Sequence, residues 1–139
     1  MLLDCFPRLS ICFLLLLQTQ KMNMKKVYYL STCSTCTRII NEAGLNEGFE
    51  LQDIKTNKIT EPQVEEMQRL AGSYENLFSR RAMKYRSMGL NEMELTEPDY
   101  KKYILEEYTF LKRPVVIIND KIFIGNSAKT LDAIKSELN

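Results

Sequence analysis

The sequence predicts an α/β fold in which a mixed four-stranded sheet is flanked by helices, with a helical insert between the second and third strands. Four short segments rich in β-forming residues, at 27–30, 49–54, 115–118 and 121–124, indicate the strands. Capped amphipathic segments between the second and third strands indicate the insert. A chain of 139 residues, of which 45% are hydrophobic and 27% charged, suits a single globular domain.

The first half of the fold is predicted as strand, helix, strand. After the strand at 27–30, apolar residues recur at the spacing of one helix face, and Gly44 follows as a stop signal: Cys36, Ile39, Ile40 and Ala43. Residues 49–54 then alternate apolar and polar side chains, as a short strand does.

The insert is predicted as two capped helices separated by further helical turns. Thr60 opens the first, which carries Val64, Met67, Leu70 and Ala71, and Thr96 opens the second, which carries Tyr100, Tyr103, Ile104 and Tyr108 on its apolar side. Helical turns over 76–89 carry Arg80, Arg81, Lys84 and Arg86. These cations form either a solvated helix face or a patch for an anion.

The last third of the chain is predicted as strand, strand, helix. The apolar β-branched run at 115–118 is typical of a strand buried on both faces. Asn119 and Asp120 turn the chain back, so 121–124 forms an antiparallel partner. Ser127 then opens a final helix that extends through Leu138.

Residues 1–22 differ from the rest and are interpreted as an N-terminal extension that precedes a domain at 23–139. Their apolar run, 11–17, is much shorter than the roughly 20 residues of a membrane-spanning helix. No basic cluster precedes the run and no small-residue cleavage site follows it, which disfavours a signal peptide. We expect a disordered tail or a mis-set start codon, with export as the alternative.

Charge and composition narrow the possible chemistry. Nineteen Lys and Arg against eighteen Asp and Glu leave a net charge of +1, so overall charge gives no reason to expect direct binding of nucleic acid or a membrane. The chain has no histidine, which excludes Ser-His-Asp and Cys-His catalysis. Chemistry must come from Cys, Arg, Tyr, Lys or carboxylate side chains.

Cys33 and Cys36 form a CxxC motif at the junction of the first strand and first helix. The first sulfur lies at the helix N-terminus, where free N–H groups and the helix dipole lower a thiol pKa from about 8.5. The second cysteine, one turn later and nearer the core, is placed to resolve a mixed disulfide. The alternatives are two unreactive capping residues or half of a zinc site, for which the chain offers only Cys5 and Cys12 as further thiols. We expect no metal.

Three motifs resemble the arsenate reductase family of the thioredoxin-like fold, in particular the branch that contains the Spx redox regulators and their small glutathione-linked relatives. The motifs are YLSTCSTCTR at 29–38, LFSRR at 77–81 and LKRPVV at 111–116. The resemblance covers about 24–138 and implies that the predicted sheet is thioredoxin-like. It also implies that Cys33 is the catalytic nucleophile and that Cys36 acts with it.

The resemblance further implies an anion-binding group beside the thiolate. Arg81, or Arg80 if the register shifts by one, matches the arginine of the family's insert, and Arg113 matches the arginine before the family's proline. Pro114 is expected to be cis, and Arg81, Arg113 and Pro114 are expected to form the substrate- or anion-binding part of the site. Two guanidiniums there would lower the thiolate pKa and hold an oxyanion or a glutathione carboxylate.

Two departures from glutathione-dependent arsenate reductases leave two functional predictions open. Cys36 stands where those enzymes usually have serine, and Gly125 and Asn126 stand where a third arginine is expected; both features resemble the Spx branch. We expect a cytoplasmic thiol-dependent reductase of an oxyanion or a disulfide. It would have no bound cofactor and would take electrons from glutathione and glutaredoxin or from thioredoxin. The alternative is a redox-sensing transcriptional regulator that binds RNA polymerase.

Overall fold

The computed structural model of the protein describes residues 24–139, and the predicted order of elements is confirmed within that range. The prediction for residues 1–22 lies outside the described residues. The strands are β1 Lys25–Tyr29, β2 Glu50–Asp53, β3 Val115–Ile118 and β4 Lys121–Ile124. The helices are α1 Ser34–Ala43, α2 Glu61–Ala71, α3 Met83–Ser87, α4 Glu97–Glu106 and α5 Ala128–Leu138, with 3₁₀ turns at Glu75–Leu77, Leu90–Glu92 and Tyr108–Phe110.

The four strands form one mixed sheet in the order β2-β1-β3-β4. Strand β1 pairs in parallel with β2 and antiparallel with β3, and β3 pairs antiparallel with β4. All four residues of β3 are buried, as the apolar run predicts for a central strand covered on both faces. The mixed sheet predicted from the sequence is therefore confirmed.

Helices cover both faces of the sheet because successive strand residues point to opposite sides. Val27 belongs to a core shared with α1 and α5, whose buried residues there are Ile39, Ile40, Leu131 and Ile134. Tyr28 belongs to a second core shared with the insert, which includes Val64, Met67, Phe78, Tyr100, Ile104 and Phe110. The functional site lies where the insert meets one end of this sheet.

Local signals in the sequence position the helix ends. Thr60 accepts a hydrogen bond from the Gln63 backbone N–H at 3.4 Å, and the Gln63 side chain accepts one from the Thr60 N–H at 3.0 Å. This reciprocal capping box begins α2 where the sequence predicts it. Gly44 ends α1 in the left-handed conformation, at φ +70°, which costs glycine little.

The insert differs from the prediction of helical turns over 76–89. The chain leaves the helical conformation at Phe78 and returns to it only at α3, so Arg80 and Arg81 lie in a non-helical turn. Phe78 forms a β-bridge with Leu111, and its ring stacks on Phe110 with 5.0 Å between centroids. Pairing with a distant segment and burial of a large ring outweigh the local helical preference here.

Two element ends also differ from the prediction. Helix α4 ends at Glu106, so Tyr108 lies in the following 3₁₀ turn and not on the apolar side of the helix. The second strand is shorter than 49–54, because only Glu50–Asp53 pairs with β1. Within residues 24–139, no helix is both long and apolar enough to cross a membrane.

Candidate active site

The sheet topology brings the two sequence motifs that flank β1 and β3 to the same edge. Strands β1 and β3 are antiparallel, and Tyr28 near the end of β1 lies opposite Val115 at the start of β3. The loop after β1, which carries Cys33, therefore meets the segment before β3, which carries Arg113. Val115 also lies opposite Ile124, so the loop after β4 reaches this edge as well.

A cleft of about 460 Å³ opens at this edge of the sheet. One side, here called the sheet wall, consists of Cys33, Arg113, Ile124, Gly125, Asn126 and Ser127. The opposite side, here called the insert wall, consists of Phe78, Ser79, Arg80 and Arg81, and Leu111 and Lys112 join the two walls. Four of the lining residues are cationic and none carries a carboxylate, so the cleft is suited to an anion.

Cys33 is the half-buried thiol of the cleft, at the N-cap position of α1. Its partial burial raises its pKa, but hydrogen bonds from the backbone and thiol of Cys36 and from the Thr35 backbone act in the opposite direction. The guanidinium of Arg113 adds a smaller effect in the same direction as those hydrogen bonds. Together they hold the pKa of Cys33 below its ordinary value, which favours a thiolate.

Cys36 has the opposite surroundings, one helical turn away. Its side chain is completely buried, and burial is the main reason that its pKa rises to about 11. The neighbouring Cys33 sulfur raises the Cys36 pKa further, while a backbone hydrogen bond from Leu30 and the charge of Arg113 lower it. As expected from the sequence, Cys36 lies nearer the core than Cys33, which is half-buried.

The adjacent arginines of the insert wall are not equivalent. Arg80 donates a hydrogen bond to Glu75 at 2.6 Å and another to the Tyr100 hydroxyl at 3.2 Å. Arg81 also lines the cleft, and its guanidinium has no ion-pair or hydrogen-bond partner within residues 24–139. Of the two alternatives left by the sequence, Arg81 is therefore the one with a guanidinium available to a ligand.

The segment before β3 supplies two more cations. Arg113 and Lys112 line the cleft, and neither forms a salt bridge within the part of the chain that the structure describes. The Arg113–Pro114 peptide bond is cis, as the family resemblance implies, and Pro114 is buried behind the cleft lining. Lys112 was not singled out from the sequence, although its position beside Arg113 in the LKRPVV motif was the available signal.

A β-bridge holds the two arginine-bearing segments together. Phe78 pairs with Leu111, the Ser79 N–H donates to the Phe110 carbonyl at 2.6 Å, and the Lys112 N–H donates to the Leu77 carbonyl at 2.8 Å. These contacts join segments more than 30 residues apart in sequence. The bridge places Arg81 and Arg113 on the same cleft.

Asp53 anchors the loop that leads to Cys33. It ends β2, beside the end of β1, and its carboxylate interacts with the Ser31 side chain and accepts a hydrogen bond from the Lys55 N–H at 3.1 Å. The hydrogen bond from Ser31 is the largest reason that the pKa of Asp53 lies below its usual value. Sequence analysis missed Asp53, because Ser31 and Asp53 are far apart in the sequence and only the pairing of β1 with β2 brings them together.

The described residues give no support for the alternative of a zinc site. No group of three or more His, Cys, Asp or Glu residues in 24–139 is arranged to hold a metal ion. The further thiols that such a site would need, Cys5 and Cys12, lie outside the described residues.

Gly125 and Asn126, where a third arginine was expected for an arsenate reductase, line the cleft without adding charge.

Fold and site together define a thioredoxin-like α/β domain in which the first thiol of a CxxC pair lines a cationic cleft and the second is buried behind it. Residues 28–134 match the ArsC family model, and the chain belongs to the ArsC family.

Solved structures with the same fold include proteins described as arsenate reductases. An arsenate reductase from Vibrio cholerae superposes with a TM-score of 0.64 at 14% identity, covering 81% of this chain and 96% of that one. A possible arsenate reductase from Streptococcus mutans gives 0.60 at 23% identity, with coverages of 78% and 98%. An arsenate reductase related protein from Brucella melitensis gives 0.61 at 16% identity, with coverages of 79% and 92%. Among curated proteins, none matches the chain.

Proposed function

We propose that the protein is a thiol-dependent reductase in which the Cys33 thiolate attacks an oxyanion or a disulfide substrate. The observation that carries the proposal is a half-buried thiol of lowered pKa in a cleft with uncompensated guanidiniums. Arg81 and Arg113 hold the negative charge of the substrate, and Pro114 shapes the segment that carries Arg113. Membership of the ArsC family supports the same class of reaction.

With a disulfide substrate, the reaction proceeds by two exchanges. The Cys33 thiolate bonds to one substrate sulfur, the substrate S–S bond breaks, and the other sulfur leaves as a thiolate. Cys36 then loses its proton to the leaving thiolate and attacks the Cys33 sulfur, which releases the second substrate thiol. The substrate gains two electrons, and Cys33 and Cys36 become a disulfide.

With an oxyanion such as arsenate, the first step is attack of Cys33 on the central atom with loss of water. Attack of Cys36 on the Cys33 sulfur then leaves the S–As bonding pair on arsenic, which is thereby reduced from As(V) to As(III). Two electrons and two protons from glutathione and glutaredoxin, or from thioredoxin, restore both thiols. The cycle needs a reducing compartment, so we assign the protein to the cytoplasm.

Steady-state turnover by the purified chain tests the proposal. The substrates are arsenate, a glutathione mixed disulfide and a small protein disulfide, each supplied with glutathione and glutaredoxin or with thioredoxin. We expect Cys33→Ser to abolish turnover. With a disulfide substrate and no other thiol present, Cys36→Ser should stop after one exchange, with the substrate thiol trapped on Cys33 and visible as added mass. Ser34→Ala, an exposed change in the same motif, is the matched control. Undiminished turnover in Cys33→Ser would rule out this mechanism.

A second candidate is a redox-sensing regulator of the Spx type that binds RNA polymerase. Gly125 and Asn126 favour it, because they occupy the edge of the cleft where a third arginine is expected in an arsenate reductase. In that function the Cys33–Cys36 disulfide changes partner affinity and turnover has no role. Capture of RNA polymerase that differs between the reduced and oxidised chain, with no turnover of the three substrates, would favour the regulator.

A further inference from the structure

The two neighbouring arginines of the insert wall point to a division of roles. The Arg80 guanidinium already has an anionic partner, while that of Arg81 has none within residues 24–139. A cation whose charge is balanced by an adjacent carboxylate contributes little net field to a ligand nearby. Arg80 is therefore poorly suited to bind an anion, although it lines the cleft.

The partners of Arg80 belong to parts of the insert that differ in exposure to solvent. Glu75 lies in a 3₁₀ turn, whereas Tyr100 lies on α4 with only 7% of its surface exposed. The same nitrogen of Arg80 contacts both side chains, at 2.6 Å and 3.2 Å. Arg80 thus connects the non-helical turn at 80–81 to a buried ring of the core.

The Glu75 end of this connection is itself fixed. The carboxylate of Glu97, at the start of α4, accepts hydrogen bonds from the Tyr74 N–H at 2.8 Å and the Glu75 N–H at 3.1 Å. Both partners of Arg80 are consequently held by α4. The turn that carries Arg81 is restrained on one side by the Ser79 bond to Phe110 and on the other by Arg80.

We propose that Arg80 is a positioning residue that holds Arg81 at the cleft, and that it does not bind the anion itself. This inference rests on the proposed function, because it concerns how the anion-binding side of that site is kept in place. A lysine at position 80 keeps the charge, but its side chain is shorter than that of arginine, so its ammonium does not reach the position from which the terminal nitrogen of Arg80 contacts both partners. Arg80→Lys and Tyr100→Phe thus weaken the restraint without changing the net charge.

The experiment measures the rate of Cys33 alkylation by iodoacetate, an anion, divided by the rate with neutral iodoacetamide. Both reagents consume the same thiolate, so the ratio cancels changes in Cys33 pKa and reports attraction of an anion to the cleft. It needs no turnover and no identified substrate. All variants are made in a Cys36→Ser background, so that Cys33 is the remaining CxxC thiol. Cys5 and Cys12 are removed either by starting the chain at Met22 or by replacing both with serine in the full-length chain.

We expect Arg81→Ala to lower the ratio about fivefold, and Arg80→Lys and Tyr100→Phe to lower it about two- to threefold, the range of an exposed charge contact. Arg80→Ala should match Arg80→Lys. The controls are Arg86→Lys and Tyr103→Phe, which make the same changes in the insert at residues that do not line the cleft and should leave the ratio unchanged.

Three results would overturn the proposal. If the ratio falls in Arg80→Ala but equals wild type in Arg80→Lys, Arg80 acts through its charge. A wild-type ratio in Tyr100→Phe would show that the hydrogen bond from Arg80 to Tyr100 does not hold Arg81 in place. A wild-type ratio in Arg81→Ala would show that Arg81 does not attract the anion. Absence of turnover with normal effects on the ratio would instead refute the proposed reductase and leave the role of Arg80 standing.

Discussion

The sheet wall and the insert wall of the cleft are built differently. The residues of the sheet wall flank β1, β3 and β4, which are joined by continuous ladders of hydrogen bonds around a fully buried central strand. The insert wall is held by one β-bridge, one cluster of aromatic rings and the contacts of Arg80. The reactive thiol lies on the sheet wall, and Arg81 lies on the insert wall. The surroundings of the Cys33 thiol and the position of Arg81 therefore depend on different contacts, and we expect them to respond to different substitutions.

The largest expected effect comes from removing the aromatic support of the insert wall. The Phe78 ring is 2% exposed and packs against Phe110 and Tyr100, each with centroids 5.0 Å away. We expect Phe78→Ala to lower the free energy of unfolding by about 3 to 5 kcal/mol in urea titrations. Anion attraction at Cys33 should fall, while the Cys33 pKa should stay unchanged because the α1 amides and Arg113 remain.

The matched control for that prediction is Met83→Ala, in the same insert, whose side chain is 90% exposed. It should change stability by less than about 0.5 kcal/mol. A large shift of the Cys33 pKa in Phe78→Ala, measured by iodoacetamide alkylation against pH, would show that the two walls are not separate.

A substitution on the sheet wall should act on the thiol itself. Replacing Arg113 by Lys keeps a positive charge near Cys33 but loses the guanidinium geometry, and replacing it by Ala removes both. We expect the Cys33 pKa to rise in the order wild type, Arg113→Lys, Arg113→Ala. The thiolate fraction at neutral pH would then fall, while the backbone hydrogen bonds from Thr35 and Cys36 remain.

The rate of iodoacetamide alkylation as a function of pH measures this shift. Lys112→Ala is the matched control, because it removes one positive charge from an exposed position in the same segment and should raise the Cys33 pKa less than Arg113→Ala does. A Cys33 pKa within error of wild type in Arg113→Ala would show that Arg113 does not stabilise the thiolate.

The smallest expected effect is on the free energy of unfolding, to which Cys33 and Cys36 should contribute with opposite dependence on pH. Burial keeps Cys36 protonated up to about pH 11 in the folded chain, whereas a thiol in the unfolded chain ionises near 8.5 to 9. Between these values the unfolded chain binds fewer protons than the folded one, so stability falls as pH rises. The contribution of Cys36 is complete below the unfolded pKa, and about 1 kcal/mol of it is lost by pH 10.

The lowered pKa of Cys33 gives the opposite sign. Its contribution is complete above the unfolded pKa and is lost as pH falls through the folded pKa. Urea titrations at pH 8 and pH 10 under reducing conditions should therefore show a smaller decrease for Cys36→Ser than for wild type, and a larger decrease for Cys33→Ser. Equal decreases in all three chains would contradict the different environments of the two thiols.

Much of the site could be read from the sequence because its signals are local. Cys33 and Cys36 fall at a strand-to-helix junction, so their exposed and buried positions follow from helix geometry. The capping boxes at Thr60 and Thr96 begin helices where they are predicted, because the contacts that form them lie three residues apart. The places of Asp53 and Lys112 were not predicted: only the pairing of β1 with β2 brings Asp53 to Ser31, and the one signal for Lys112 was its position beside Arg113.

The sequence by itself determined the order of strands and helices, the position of the CxxC motif at a strand-to-helix junction and the cationic character of the LFSRR and LKRPVV segments. Only the tertiary structure decided that the chain leaves the helical conformation at Phe78, which pairs with Leu111, and that Arg80 is occupied by Glu75 while Arg81 is available. The physical reason is distance along the chain: helix periods and caps act over three or four residues, whereas a bridge between segments 33 residues apart forms only when the sheet has brought both ends together.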